Sequence, residues 1–197
     1  MKARLTVLAL LMILSCSALC AAGTNAFPTW KTVKVGTSTD KFSLWNDLKA
    51  LGCDRDWSLG EYEVTNVISN PNFKISAPAS IQLAKVSVRD LCGDMLVTTV
   101  KGVCDRAKSK GLELCPSEAA IQLMIQYGTE LKPVRGKFTE WFYIGMQPIV
   151  SNSANVFSGY DIFYVGYPDR GPSLSTVSGH PSFLCSGDEV WIFMKAK

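Results

Sequence analysis

Histidine is nearly absent from this chain: His180 is the only one in 197 residues. A zinc site that needs two or more histidines, such as the HExxH pair, is therefore excluded. A Cys–His catalytic pair has one residue to draw on, and Gly179-His180-Pro181 reads as a loop. The chain also lacks a G-x-S-x-G elbow, a P-loop and a G-x-G-x-x-G fingerprint. Hydrolases of the α/β type, P-loop nucleotidases and dinucleotide enzymes are left without their motifs, and no cofactor is implied. No C-x-x-C or zinc-finger spacing occurs among Cys53, Cys92, Cys104, Cys115 and Cys185. Charge of one sign is lacking as well, with 20 Lys and Arg against 17 Asp and Glu. Lys101, Arg106, Lys108 and Lys110 do cluster, but on a predicted helix near its C-terminus, where cations complement the dipole. Nothing argues for nucleic acid as a partner.

Long apolar runs are confined to the beginning. Lys2 and Arg4 precede Leu5–Leu14, which is followed by Ser15, Ser17, Ala18, Ala21 and Ala22. This is the order of a secretory signal: a positive start, an apolar stretch, then small residues at the cleavage site. The expected division is 1–22 as signal peptide and 23–197 as one domain, with cleavage after Ala22 or Cys20. A secreted or periplasmic location follows. Two alternatives remain open: an uncleaved N-terminal anchor, since the run extended to Ala22 approaches the roughly 20 residues of a span, and a lipoprotein lipidated at Cys16. Losing Lys2 and Arg4 lowers the basic residues to 18 against 17 acidic, so the net charge falls from +3 to +1.

The remaining 175 residues, with no repeat or low-complexity linker, suit one domain with a sizeable core. They keep Cys53, Cys92, Cys104, Cys115 and Cys185, an odd number. An exported protein can cross-link some of them, and Cys92–Cys104 is the candidate closest in sequence. The alternative is that they are small buried hydrophobes.

The pattern along the chain predicts α+β architecture. Trp30–Val35 reads as a strand. Thr39-Asp40 would cap a helix burying Phe42, Trp45, Leu48 and Leu51, stopped at Gly52. A second helix is expected over Glu61–Ser69, strands over Phe73–Ser76 and Ile81–Val88, and a helix over Thr98–Lys110 with Val100, Val103, Cys104 and Ala107 inward. Pro116–Ala120 is expected to make a single helical turn. Thereafter the apparent period is two: Ile121, Leu123, Ile125 and Tyr127 alternate with Gln122, Met124 and Gln126, which predicts a strand. Further strands are expected over Trp141–Met146, Tyr160–Tyr167 and Val190–Met194, with turns over 128–136, 152–159 and 168–187. The expectation is thus N-terminal helices and short strands followed by a C-terminal antiparallel meander sheet.

Gly111–Tyr127, GLELCPSEAAIQLMIQY, resembles the most regular stretch of an uncharacterised bacterial protein family, whose members read approximately GLELCPAEVGPQLRLQY followed by a GEW…IAM.PI strand. Thr139-Glu140-Trp141 and Ile144–Ile149 are similar to that second block, Lys31–Thr37 to the opening kTIKLGT, and Arg106-Ala107-Lys108 to an RAK helix. The family has no established activity, so the resemblance implies no chemistry. Where the family has Arg, this chain has Met124, and where it has Gly-Pro, Ala120-Ile121. Its members generally lack an export signal, which implies that Cys115 began as a packed thiol.

Cys115, Glu118, Gln122, Gln126, Glu140 and Trp141 form the densest candidate constellation. If the strand at Ile121 pairs with that at Trp141, both glutamines share a sheet face with Glu140 and Trp141 close by. Carboxylate, amides and indole together would suit a glycan or peptide ligand. The plain alternative is a helix-start carboxylate and the wet face of a half-buried sheet. Tyr160, Phe163, Tyr164, Tyr167, Trp191 and Phe193 are expected to pack the core and pair across strands, or in part to form a partner-binding patch. The leading expectation is an exported binding domain whose partner is a protein, small molecule or glycan. The rival is an envelope-directed hydrolase using Glu118 and Glu140 or Cys115.

Overall fold

A computed structural model describes residues 27–52, 60–93, 97–131, 141–150, 159–167 and 171–196. The signal segment with Cys16, and also Cys53 and Glu140, lie outside the described residues. In chain order the elements are β1 (Lys31–Val35), α1 (Lys41–Ala50), α2 (Gly60–Ser69), β2 (Ala79–Ser87), α3 (Val88–Cys92), β3 (Val97–Thr99), α4 (Val100–Ser109), β4 (Leu112–Glu113), α5 (Ala119–Tyr127), a 3-10 turn (Gly128–Leu131), β5 (Trp141–Ile144), β6 (Ile149–Val150), β7 (Tyr160–Gly166), β8 (Ser173–Ser178), β9 (Leu184–Ser186) and β10 (Val190–Lys195). The fold is α+β, as the pattern implied. No helix among the described residues is long and apolar enough to cross a membrane.

Among the described residues, eight strands join one sheet along the path β1-β2-β10-β5-β7, and β3 with β9 forms a separate pair. β7 carries β8 along one edge, while β5 and β6 share the other. The expected C-terminal antiparallel meander needs correction on two points. The last strand, β10, is central rather than terminal: it lies between β2, paired antiparallel, and β5, paired parallel through Val190–Phe142 to Ile192–Ile144. The N-terminal strands β1 and β2 are therefore part of the same sheet. Consecutive order along the chain favours hairpins, but the shared apolar faces of β2, β5 and β10 are satisfied by this arrangement instead.

Side chains alternate across the sheet. Val190 and Ile192 share a face with Phe142, Ile144 and Val165; Trp191 and Phe193 share the other with Tyr143 and Tyr164. Both faces of β10 are buried at its centre, so the strand reads as a continuous apolar run.

Caps explain the helix starts. Asp40 accepts from Ser43 N (2.8 Å) before α1. Ser87 and Asp90 form a reciprocal capping box at α3, and Thr99 accepts from Gly102 N (3.1 Å) at α4. The buried stripe of α1 is Leu44 and Leu48, with Trp45 half-buried against the core; of the expected row Trp45 and Leu48 turn inward, whereas Phe42 and Leu51 do not. Phe42 is 73% exposed, because it lies two residues from Leu44 and so points away from the stripe. Phe73–Ser76 is not a strand; side chains hold it in place, as described next.

The largest local departure is Ile121–Tyr127, expected as a strand and folded as α5. Ala119, Ala120, Ile121, Leu123 and Met124 are all buried. The helix packs against β1, β7, β8 and α1. Enclosed on most sides, it has few positions free to be polar, and its sequence loses the amphipathic signature of a surface helix.

Candidate functional site

Glu118, Gln122 and Gln126 recur every four residues and form one stripe along α5. That stripe faces the open edge of β1. In β1, the backbone groups of odd-numbered residues pair with β2, which leaves those of Thr32, Lys34 and Gly36 pointing outward. Gln126 Oε1 accepts from Lys34 N (2.9 Å), and its Nε2 donates to Lys34 O (2.7 Å) and to Gln122 Oε1 (3.0 Å). Gln122 Nε2 donates to Thr37 Oγ1 (2.8 Å), and Tyr127 OH donates to Thr32 O (2.8 Å). Glu118 Oε1 accepts from Gly36 N and from Ser76 N (3.3 Å). The side chains of one helix thus cover the edge of one strand, in place of another strand.

Glu118 also ties down the Phe73–Ser76 segment, with help from its neighbour. Ser117 Oγ donates to Lys74 O (3.0 Å) and accepts from Lys74 N (3.1 Å). Phe73 packs edge-on against Phe163 at 6.3 Å. Gly36 has φ +68°, and a Cβ there would lie 2.5 Å from Ser76 O. Only glycine lets the two backbones approach closely enough to share the Glu118 oxygen. The carboxylate is 0% exposed, and its Oε2 has no hydrogen-bond partner.

The expected hairpin that would have brought these residues to Trp141 does not form, since Ile121–Tyr127 is a helix. Trp141 begins β5, and two strands, β2 and β10, separate β5 from β1. The Glu118 contact lies beyond the Val35–Ala79 pair, and Trp141 beyond the Ser87–Val190–Phe142 row. These rows are eight residues of β2 apart, on the order of 25 Å at strand rise. Glu118, Gln122 and Gln126 therefore belong together, and Trp141 belongs elsewhere.

The thiol and the histidine of the hydrolytic readings are also occupied. Cys115 is buried, its Sγ 3.7 Å from Ile192 O, and burial pushes the thiol up to about 12. A nucleophilic cysteine needs the reverse shift. His180 Nδ1 accepts from Ser182 N (3.2 Å), and its ring meets Tyr160 edge-on at 5.2 Å. Cys92 and Cys104, the candidate cross-link, are free thiols in the structure, on helices α3 and α4 that pack together. Among the described residues no group of His, Cys, Asp and Glu is arranged to hold a metal.

Trp141 has different company. It lies flat over the cross-strand Gly166, where a Cβ would come within 2.5 Å of the indole. From there a row of rings crosses three strands. Trp141 and Tyr164 are 4.8 Å apart, Tyr164 and Tyr143 6.0 Å, Tyr143 and Trp191 5.3 Å, and Trp191 and Phe193 6.1 Å. The last three pairs are near-parallel, at 26°, 19° and 14°. The Phe193 end is buried; Trp141, Tyr143 and Tyr164 are half-buried at the other. Trp191 is 1% exposed, and its Nε1–H has no partner; nor has Glu189 Oε2, two residues before it on β10's approach. Burial first, then the Glu189 carboxylate, Tyr164 and Cys185, push the Tyr143 hydroxyl up to about 12, so at neutral pH it remains a donor.

Trp191 and Tyr164 are legible in the sequence as aromatic strand residues, whereas the roles of Tyr143 and Glu189 are not. The available signal was the two-residue alternation Trp141/Tyr143 and Glu189/Trp191/Phe193, which puts each set on one side of its strand. A scan against protein-family models gives no match, and searches of curated proteins and of solved structures give none.

Proposed function

We propose that this chain is an exported binding domain whose contact surface is the half-buried end of the aromatic row, Trp141, Tyr143 and Tyr164, and whose ligand is a saccharide. The observation that carries this reading is the half-buried run of stacked rings, Trp141, Tyr164 and Tyr143, continued inward by Trp191 with its orphaned Nε1 donor. Buried polar atoms without partners are uncommon in folded proteins. A sugar presents an apolar ring face for stacking and hydroxyls that both donate and accept, which matches a surface of this composition. The Glu118 stripe has no part in this reading, because Glu118 is fully buried and both glutamines are bonded to β1 and the residues just after it. Export rests on the Lys2–Ala22 pattern, and purification from the cell envelope or medium with Gly23 or Ala21 at the N-terminus would support it.

Titration with a soluble N-acetylglucosamine oligomer, followed by tryptophan fluorescence, tests the binding reading. The expected result is a saturable change that Trp141→Ala weakens about tenfold or more, equivalent to at least ~1.4 kcal/mol. A flat titration at millimolar oligomer and an empty glycan array would together overturn it, as would undiminished binding by a folded Trp141→Ala.

A further inference from the structure

Cys185 sits in a place the spacing of the cysteines does not reveal. β9 is anchored at both ends to the starts of two helices. On one side Val100 N donates to Phe183 O (2.9 Å) and Lys101 N to Pro181 O (3.1 Å), fixing the approach to β9 against the start of α4. On the other, Arg89 N donates to Gly187 O (3.0 Å) and Val88 N to Glu189 O (2.9 Å), fixing its exit against the start of α3. Cys185 lies midway between these anchors, opposite Thr98 in the β3–β9 pair. Its neighbour Leu184 and the diagonal Val97 face outward, 64% and 55% exposed, whereas Cys185 is buried on the inner side.

The two helices present thiols at matching positions. Cys104 is four residues after Val100, and Cys92 four residues after Val88, so each stands one turn along from its helix's anchor to the β9 region and on the same side. Both are half-buried and pack against the core. α3 packs on α4, and α4 on β9. The three thiols therefore converge on one junction.

We propose that Cys92, Cys104 and Cys185 form a three-thiol junction, and that a disulfide oxidant closes Cys104–Cys185 as a cross-link while Cys92 remains the spare thiol. The choice of Cys104 follows from α4 packing directly on β9, with its start bonded to Phe183 O and Pro181 O just before Cys185. In the reaction one thiolate attacks the oxidant's S–S bond to give a mixed disulfide, and the second displaces the oxidant's remaining thiolate. The two cysteines lose two protons and two electrons, and the oxidant is reduced to two thiols. Burial holds the Cys104 thiol up near 11, and burial with the adjacent Glu189 holds Cys185 near 12. Few thiolates then exist in the folded, reduced protein, so the bond forms while the junction is still open during folding. The closed bond would join β9 to α4 across 81 positions of sequence, a pairing unrelated to the short Cys92–Cys104 spacing.

The test uses the purified chain, reduced in denaturant, refolded with oxidised and reduced glutathione, alkylated in denaturant and digested with trypsin without reductant. Lys101 and Arg106 place Cys104 in a peptide of its own, apart from Cys92. The expected product joins the Cys104 and Cys185 peptides, with Cys92 and Cys115 alkylated. In Cys104→Ser the cross-link is expected to move to Cys92–Cys185. Complete alkylation of Cys104 and Cys185 in the refolded wild-type chain overturns the proposal, and so does a cross-link from either to Cys53 or Cys115. A folded Cys104→Ser that leaves Cys185 fully alkylated overturns the convergence of three thiols.

Discussion

Replacing Glu118 by alanine removes the one acceptor shared by Gly36 N and Ser76 N, in a place no water reaches. The carboxylate is fully buried, and both donors belong to backbone segments that lack a strand partner on that side. A hydrogen bond to a charged group contributes about 1.5–3 kcal/mol, and leaving a buried donor unsatisfied costs about 1–3 kcal/mol. The truncation also leaves a void. Because these losses overlap, the expected net loss is about 3–5 kcal/mol rather than their sum. Glu118→Gln keeps an oxygen for the two donors and removes a buried charge, but turns the orphaned Oε2 into an amide that also lacks a partner. A smaller loss of about 1–2 kcal/mol is expected for it. Urea unfolding followed by tryptophan fluorescence reads both. With m near ~2 kcal/mol/M, the alanine variant should lose about 2 M in midpoint and the glutamine variant less than 1 M, without a change in slope. A loss below about 1 kcal/mol for Glu118→Ala would refute the view that this carboxylate fastens β1 and the 73–76 segment. A larger loss for glutamine than for alanine would show that the orphaned oxygen, not the shared one, decides the matter.

Two further outcomes follow from the same region. Gly36→Ala forces an L side chain into φ +68° and places Cβ against Ser76 O; a loss of about 2–4 kcal/mol in thermal or urea unfolding is expected, beyond that of an ordinary surface glycine. Asp40 is held below the ordinary carboxylate range, chiefly by the Ser43 backbone N–H. Its charged cap therefore contributes fully above the unfolded carboxyl pKa and fades as pH falls through the lowered folded value. Asp40→Asn keeps an acceptor but does not titrate, so its stability deficit against wild type should shrink on acidification from neutral pH, and a deficit constant down to the lowest pH at which both fold would contradict the assignment.

Local signals carried the helices whose faces differ. α4 shows its apolar stripe, its threonine cap and its glycine stop, and it folds within two residues of expectation. α5 failed for the opposite reason: with neighbours on nearly every side it presents Met124 and Leu123 inward alike, and the alternation Ile121–Gln122–Leu123 mimics a strand. The polar series Glu118, Gln122, Gln126 at intervals of four does not decide the matter, since it shares one face of a strand as well as one stripe of a helix; the residue that breaks the alternation is Met124, apolar and buried between two glutamines. Strand β8 reads as loop in the sequence because Ser173, Ser175 and Ser178 weaken its pattern, and Leu174 is its one buried position. The role of the aromatic row depended on β10 lying beside β5, and such neighbourhood is a tertiary fact that alternation within either segment does not encode.

The central position of β10 also sets an order of events. β2 waits for a partner that arrives about a hundred residues later, since Ser87 is matched by Val190. β5 likewise has one bare edge until then. Pairings between such distant segments are slow to form, so a chain emerging N-terminus first stays without its main sheet until residues 190–195 are delivered. Under the export proposed above, that delay would be useful: the segment already made would remain loose enough to pass a translocation channel, with folding deferred until the whole chain is across. The delay has a hazard as well, because two apolar strands with open edges are exposed together in the interval.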